Sequence, residues 1–388
     1  MKKKVGFFLI GSLILLMSAI NSRHSSAAAV QSESYDVLEE LKLFSRAIGA
    51  VLEGYVEKKD ARQLLYHAVK GMLEGMDPYT VFIDEEHYKL LQIDMKGEYS
   101  GLGAVLEMVD NQIFIKEIKP ASAAQKAGLE VKDMILKVDS KDVIGLGMAE
   151  VAELLRGEAG TEVMVRVQRP TVPEPIDIKV IRELVEISAI NDVRMAGRHL
   201  GYLRIDNFQE HTADQIDKAI KKLTKEGMKA LIIDLRNNQG GLMTAAIDLA
   251  SRFLPGDKKI VSVESRIDVQ KKEHFSDGSK HLTDCDLIVL VNEHSASASE
   301  IFSAAIQDHK RGIVVGMKTY GKASVQSVVP LDDKTAMKLT TARYISPNGR
   351  VIDKVGIVPD EEVPYLVEGV EGEDQQTRKA LEIFKKYR

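Results

Sequence analysis

The chain has 388 residues, 44% of them hydrophobic, and a formal net charge of −5, with 53 Lys and Arg set against 58 Asp and Glu. That is enough apolar material to bury a sizeable core and to divide into two or three domains. The basic residues are interspersed rather than gathered, which argues against a nucleic-acid footprint, and the single cysteine, Cys285, excludes an intramolecular disulfide.

Residues 1–29 have the form of an export signal. Lys2, Lys3 and Lys4 precede the apolar run 5–20, and Ala27-Ala28-Ala29 offers a small-residue cleavage site. The run is short for a membrane span of ~20 residues and holds Gly11 and Ser12, so cleavage is favoured over retention. Either way the body is expected outside the cytoplasm, periplasmic or elsewhere in the cell envelope, and membrane-anchored if the signal is kept. Residues 30–95 then read as a helical arm: Leu38, Leu41, Phe44, Ile48 and Leu52, then Leu64, Leu65, Val69 and Met72, recur at helical spacing, with Asp77-Pro78 as a break.

The texture changes over residues 96–180. Short alternating strands are expected over 101–106, 113–118 and 134–138, with a short helix at 121–129 closed by Gly128 and a second at 147–155. In YSGLGAVL, residues 99–106, glycines let successive N–H groups turn toward one point, a nest for a terminal carboxylate. With the following PASAAQKAGLEVKDMILKVD, the module resembles a PDZ domain, and the resemblance puts a bound peptide tail against Gly101, Leu102, Gly103 and Ala104.

Over residues 181–365 strands at 201–205, 230–235, 287–291 and 312–316 alternate with helices at 214–223, 243–253 and from Ser297, an α/β layer pattern with crossovers. Residues 366–388 form a tail whose helix spans 374–387. Ser295, Ser297 and Ser299 stand at the carboxyl end of a strand, where open α/β sheets bind ligands. Ser297-Ala298-Ser299-Glu300 fits a capping box, in which the hydroxyl only closes the helix. The same position also suits a nucleophile, because free N–H groups at a helix start stabilise a developing oxyanion. His294 is a candidate base on a loop. Asp308 is adjacent to His309 and poorly placed to face its ring, so His309 is expected on a solvated helix end. Cys285 reads as a buried small apolar residue, since nothing near it in sequence would activate a thiol.

SASASEIFSAAIQDHKR and VVGMKTYGKASVQ, together with MDPYTVFI, GYLRIDNF, LIIDLRNNQGG, LTTARYISPNGR and GIVPDEEV, resemble the C-terminal processing peptidases, serine proteases with a Ser-Lys dyad and a PDZ domain. The resemblance implies a multidomain α/β protein: an α/β (crotonase/ClpP-like) protease core, an inserted β-rich PDZ domain and a helical N-terminal arm. It places the nucleophile on Ser297, the general base on Lys322 and a lysine-orienting glutamine on Gln326. The oxyanion hole falls on the N–H of Ala298 with one from Gly240 or Gly241, and a regulatory arginine on Arg156. His294, Gln239 and Ala323 depart from the family's usual residues, and Ala323, beside the base, restricts that loop most.

The implied activity is that of an exported endopeptidase that binds protein substrates by free, apolar C-terminal tails and cleaves nearby, without metal or organic cofactor. Its further expected partners are an activator or adaptor protein and further copies of itself. The alternatives are a non-catalytic PDZ adaptor or scaffold with a protease-like core, and a hydrolase that depends on His294 or His309.

Overall fold

A computed structural model describes residues 27–364 and 374–386, which form two compact units divided between Pro78 and Tyr79. The expected signal segment lies outside the described residues apart from Ala27, Ala28 and Ala29, which open the first helix. The first unit is a pair of helices, α1 (Ala27–Gly54) and α2 (Ala61–Glu74). Asp60 starts α2 by accepting from the Gln63 N–H at 2.9 Å. Val37, Leu38, Leu41 and Phe44 on α1 are exposed within this unit. Residues 79–95, expected within the arm, belong to the second unit instead.

The second unit opens with β1 (Val81–Ile83) and α3 (Glu85–Lys96). Asp84 caps the helix through the His87 N–H, and Gly97 ends it at φ 74°, a left-handed conformation that favours glycine. Next come β2 (Glu98–Gly101), β3 (Ala104–Val109), β4 (Gln112–Ile118), α4 (Ala123–Ala127), β5 (Met134–Val138), β6 (Lys141–Asp142), α5 (Met148–Leu155), β7 (Glu162–Gln168), β8 (Ile176–Ile181) and β9 (Glu183–Glu186). Strands β3-β4-β5-β7-β8 form one antiparallel sheet, with β6 on β5. Its core is Ile113, Ile115, Ile135, Val151, Val163, Val165, Val167 and Val180, every second residue along β7 facing inward as the pleat requires. Strands β2 and β9 pair only with each other, Gly101 opposite Glu183, so the chain enters and leaves this β-rich module side by side. The Arg182 guanidinium fastens α5 by donating to the Leu154 and Leu155 carbonyls at its C-terminal end.

The remaining elements are β10 (Ile190–Met195), β11 (Leu200–Ile205), α6 (Thr212–Lys225), β12 (Ala230–Asp234), α7 (Met243–Phe253), β13 (Lys259–Glu264), β14 (Lys272–Phe275), β15 (Asp286–Val291), α8 (Ala298–Asp308), β16 (Ile313–Gly316), β17 (Ser324–Pro330), β18 (Ala336–Ile345), β19 (Glu361–Glu362) and α9 (Gln375–Lys386). One sheet runs β10-β11-β12-β15-β16-β19, parallel except at β10. Both of its faces are covered, which is why β12 and β15 read as continuous apolar runs. Leu231, Ile233, Leu287 and Val289 pack with α6, α7 and α8, while Ile232, Ile288 and Leu290 pack with Ala380 and Ile383 of α9. A second sheet, β1-β18-β13-β14 with β17 on the other side of β18, stands beside it. The molecule is therefore a multidomain α/β protein. Cys285, expected to be buried, is half-buried, and burial pushes its thiol up.

Candidate active site

Strand β15 ends in a turn that delivers Ser297 to the first turn of α8 at φ 54° and ψ −114°. A non-glycine residue with positive φ costs of order 1–3 kcal/mol and persists only where its surroundings over-determine it. Here the other two serines do that. Ser295 is fully buried; its hydroxyl donates to the Leu235 carbonyl at 2.8 Å and accepts from the Asn292 N–H at 2.9 Å. Ser299, also buried, donates to the Asn238 carbonyl at 3.0 Å. Both stitch the turn to residues 235–238 after β12, so neither hydroxyl is open to a substrate. At this helix start Glu300 accepts from the Ser297 N–H at 2.9 Å, while the Glu300 N–H donates to the Ser297 carbonyl at 2.8 Å and the Ser297 hydroxyl makes no side-chain cap hydrogen bond.

A cavity of about 610 Å³ brings Ser297 together with Lys322, Gln326, Gly240 and Gly241. Leu242, Met243, Ile301 and Val325 give it an apolar wall, Leu91 and Met95 of α3 line another part, and Asp94, Asp206 and Lys338 add charge. Lys322 lies just before β17. Burial lowers the proton affinity of its ammonium, nearby Lys338 lowers it further, and Glu300 opposes both. Its Nζ stands 4.6 Å from the centre of the Tyr79 ring and makes no hydrogen bond or ion pair among the described residues. Gln326, expected to orient that lysine, instead donates to Ser324 Oγ at 2.7 Å and Thr340 Oγ1 at 3.4 Å.

Glu300 holds the Ser297 segment and the Lys322 segment together. Fully buried, its carboxylate accepts from the N–H groups of Ser297 and Lys322, both at 2.9 Å, from the Gly321 N–H at 2.7 Å and from Thr319 Oγ1 at 2.6 Å. Burial pushes its carboxyl up, and the four donors pull it back. Buried Tyr344 closes the same joint, its hydroxyl lying between the carbonyls of Ser297 and Lys322. In the sequence Glu300 is legible only as the last residue of a capping box, and nothing marks Tyr344 or Lys338. Tyr79 stands inside MDPYTVFI without a signal for its contact with Lys322.

The glycine loop lies against the serine. An added Cβ on Gly240, φ 104°, would meet the Ala296 carbonyl at 2.7 Å and the Ala298 N at 2.9 Å; one on Gly241, φ 140°, would meet the Phe208 carbonyl at 2.2 Å. No side chain fits either place. The Gly240 N–H donates to Asn238 Oδ1 at 2.8 Å, whereas the Gly241 N–H has no partner among the described residues. The Ala298 N–H, in the first helical turn, also lacks an intrahelical partner.

The histidines do not join this site. His294 is exposed beside Glu293, and His309 is not solvated as expected: its Nε2 lies 2.6 Å from the Lys259 carbonyl. Asp308 is committed to Ser346 Oγ, the Asn348 N–H and the Arg350 guanidinium.

In the β-rich module a groove of about 220 Å³ runs between Gly101, Leu102, Gly103, Ala104 and Leu106 on one side and Met148, Ala152 and Leu155 of α5 on the other. The Leu102 carbonyl accepts from the Ala124 N–H at 2.8 Å and the Gly103 carbonyl from the Lys119 N–H at 2.9 Å. In a trans peptide the N–H points opposite its carbonyl, so the N–H groups of Gly103 and Ala104 turn the other way. Gly103 has φ 75°, and an added Cβ would meet Ser122 Cβ at 2.5 Å. Arg156 stacks 5.5 Å over the Tyr99 ring at one end of the groove and also lines a second cavity, of about 440 Å³, toward Lys89, Leu90 and Ile93 of α3.

Comparison with known proteins gives three family matches: peptidase family S41 over residues 199–363, a PDZ domain over 114–169, and the activating protease CtpB N-terminal domain over 9–87. A carboxy-terminal-processing protease of Bartonella bacilliformis is 35% identical over 362 residues, 92% of this chain and 80% of that one. A probable CtpA-like serine protease of Staphylococcus haemolyticus is 32% identical over 360 residues, 92% of this chain and 71% of that one. Among solved structures, a photosystem II D1 C-terminal processing protease is 29% identical, covers 83% of this chain and 92% of that one, and has a TM-score of 0.46.

Proposed function

The chain belongs to the C-terminal processing peptidases of family S41 and carries a PDZ domain, and on that premise we propose that it is an exported serine endopeptidase that binds substrate tails through the PDZ groove and cuts by a Ser297-Lys322 acyl-enzyme mechanism. The observation that carries this reading is the shared cavity in which Ser297 alone of the three serines has an uncommitted hydroxyl, and in which Lys322 has the lowered proton affinity a base requires.

In this mechanism the neutral Lys322 amine takes the Ser297 hydroxyl proton as Oγ attacks the scissile carbonyl. The developing oxyanion is met by the N–H groups of Ala298 and Gly241. Lys322 returns the proton to the leaving amine, the peptide C–N bond breaks, and water, deprotonated by Lys322, hydrolyses the acyl-enzyme. A substrate's terminal carboxylate would lie on the N–H groups of Gly103 and Ala104 while its tail adds as a strand along β3. Arg156, at the groove's end, is suited to report occupancy toward α3, and an activator or adaptor protein would act at the same place. Homo-oligomerisation is proposed through the exposed apolar residues of α1 and through α9.

One observation favours the adaptor reading: Lys322 rests on Tyr79, and Gln326 is turned to Ser324. Catalytic hydrogen bonds are often long before substrate binds, so the same observation fits a resting enzyme. Cleavage of unstructured proteins with apolar tails separates the readings. Activity in the wild type and His309→Ala but not in Ser297→Ala or Lys322→Ala supports the Ser-Lys enzyme; tail binding without cleavage by the wild type under all conditions supports the adaptor.

A further inference from the structure

The cavity that holds Ser297 and Lys322 contains a second lysine. Lys338 lies within β18, opposite Val81 of β1 and Val328 of β17. Alternate residues of a strand share a face, so Lys338 and Thr340, which pair with Val328 and Gln326 before the bulge in β18, look the same way. Thr340 receives the Gln326 amide, and Tyr344 reaches the carbonyls of Ser297 and Lys322. Strand β18 thus brings Lys338 and Tyr344 into the cavity of the two proposed catalytic residues, one on each side of its bulge.

Lys338 has no carboxylate at ion-pair distance among the described residues. Asp94 of α3 and Asp206 line the same cavity, but Asp206 is paired with Arg204 at 2.9 Å and neither pairs with Lys338. The other groups around Lys322 are Glu300 from α8, whose charge is spread over four donors, Tyr79, whose ring favours a cation, and the buried hydroxyl of Tyr344. Lys338 is therefore the one cation in this set that opposes a second ammonium, and no partner neutralises it.

We propose that Lys338 is a positioning residue for peptide cleavage that acts through Lys322: its unpaired charge across the cavity holds the Lys322 amine in the neutral form that accepts the Ser297 proton. This rests on the Ser-Lys reading above. Burial is the larger influence on Lys322 and Lys338 the next in the same direction. Taking Lys338 away raises the proton affinity of Lys322. Because only neutral Lys322 is a base, the acid-side limb of the pH–rate profile then moves to higher pH.

The test is the rate at which an alkyl fluorophosphonate inactivates the full chain as a function of pH, a readout that needs no tail recognition. In that step Ser297 Oγ bonds to phosphorus, fluoride leaves, and the hydroxyl proton passes to Lys322. In Lys338→Met the limb should move to higher pH, so that the rate near neutrality falls severalfold and recovers in alkaline buffer. Lys338→Arg, which keeps the charge, should restore the wild-type profile. Raising salt from ~0.01 to ~1 M should move the wild-type limb in the same direction, since screening shortens from ~30 to ~3 Å, and this arm decides the matter if Lys338→Met does not fold. A uniform fall in rate with the limb in place, an Arg variant that behaves like Met, or a wild-type limb indifferent to salt overturns the proposal. Inactivation of Lys322→Ala with an unchanged profile overturns the Ser-Lys reading instead.

Discussion

The PDZ groove and the proposed catalytic cavity are built on opposite plans. The groove takes its loop from residues 99–106 and its facing helix from 148–156, both inside one small module, and its business end is backbone. The cavity gathers side chains from α3, from the turns after β11, β12 and β15, and from β17 and β18, and Tyr79 meets Lys322 there from far along the chain. A site made of local backbone tolerates side-chain change but not a change of backbone freedom. A site made of distant side chains fails when any one clamp between segments is lost.

The largest effect should come from Ser297→Ala, which leaves tail binding intact and lowers cleavage by at least about 10³-fold; an active variant would move the chemistry to another residue. Gly240→Ala comes next, because its Cβ would push into the Ala296 carbonyl and the Ala298 N. Cleavage should fall about 10²-fold or more, with a lowered melting temperature, whereas Gly103→Ala should abolish tail binding measured by fluorescence anisotropy yet leave fluorophosphonate labelling of Ser297 in place. If both glycine variants lose both functions, the two sites are not independent. Glu300→Gln replaces a carboxylate that serves four donors with an amide that has one acceptor oxygen; urea unfolding should show a loss of about 1–3 kcal/mol together with slowed labelling. The smallest effect belongs to Ser299→Ala, about 1 kcal/mol of stability with labelling retained, because its hydroxyl braces the turn without facing the cavity.

The same contrast explains what the sequence discloses. The groove's Gly101, Leu102, Gly103 and Ala104, the short helices flanking it and the alternating strands were readable because glycine, capping residues and period-two patterns act over a few positions. Ser297 was readable as a helix-start serine, yet the choice among three serines rested on likeness to other chains, since only tertiary hydrogen bonds at 2.8 and 3.0 Å reveal that Ser295 and Ser299 are committed to other loops. The roles of Glu300, Tyr344 and Lys338 arise from segments that approach only in the folded state, and His309 looked solvated because Lys259, its partner, lies 50 positions away.

The ribbon of β2 and β9 has a consequence for how such a chain assembles. Because Gly101 and Glu183 sit opposite one another, the whole intervening module attaches to the rest of the fold at two neighbouring backbone points. Once that module has collapsed on its own core, it contributes to the larger fold as a short closed loop, and closing a short loop costs little chain entropy. The module is therefore separable in the topological sense: excising residues 102–182 and joining the ribbon's ends through a tight turn leaves every strand pairing of the β10-to-β19 sheet unchanged.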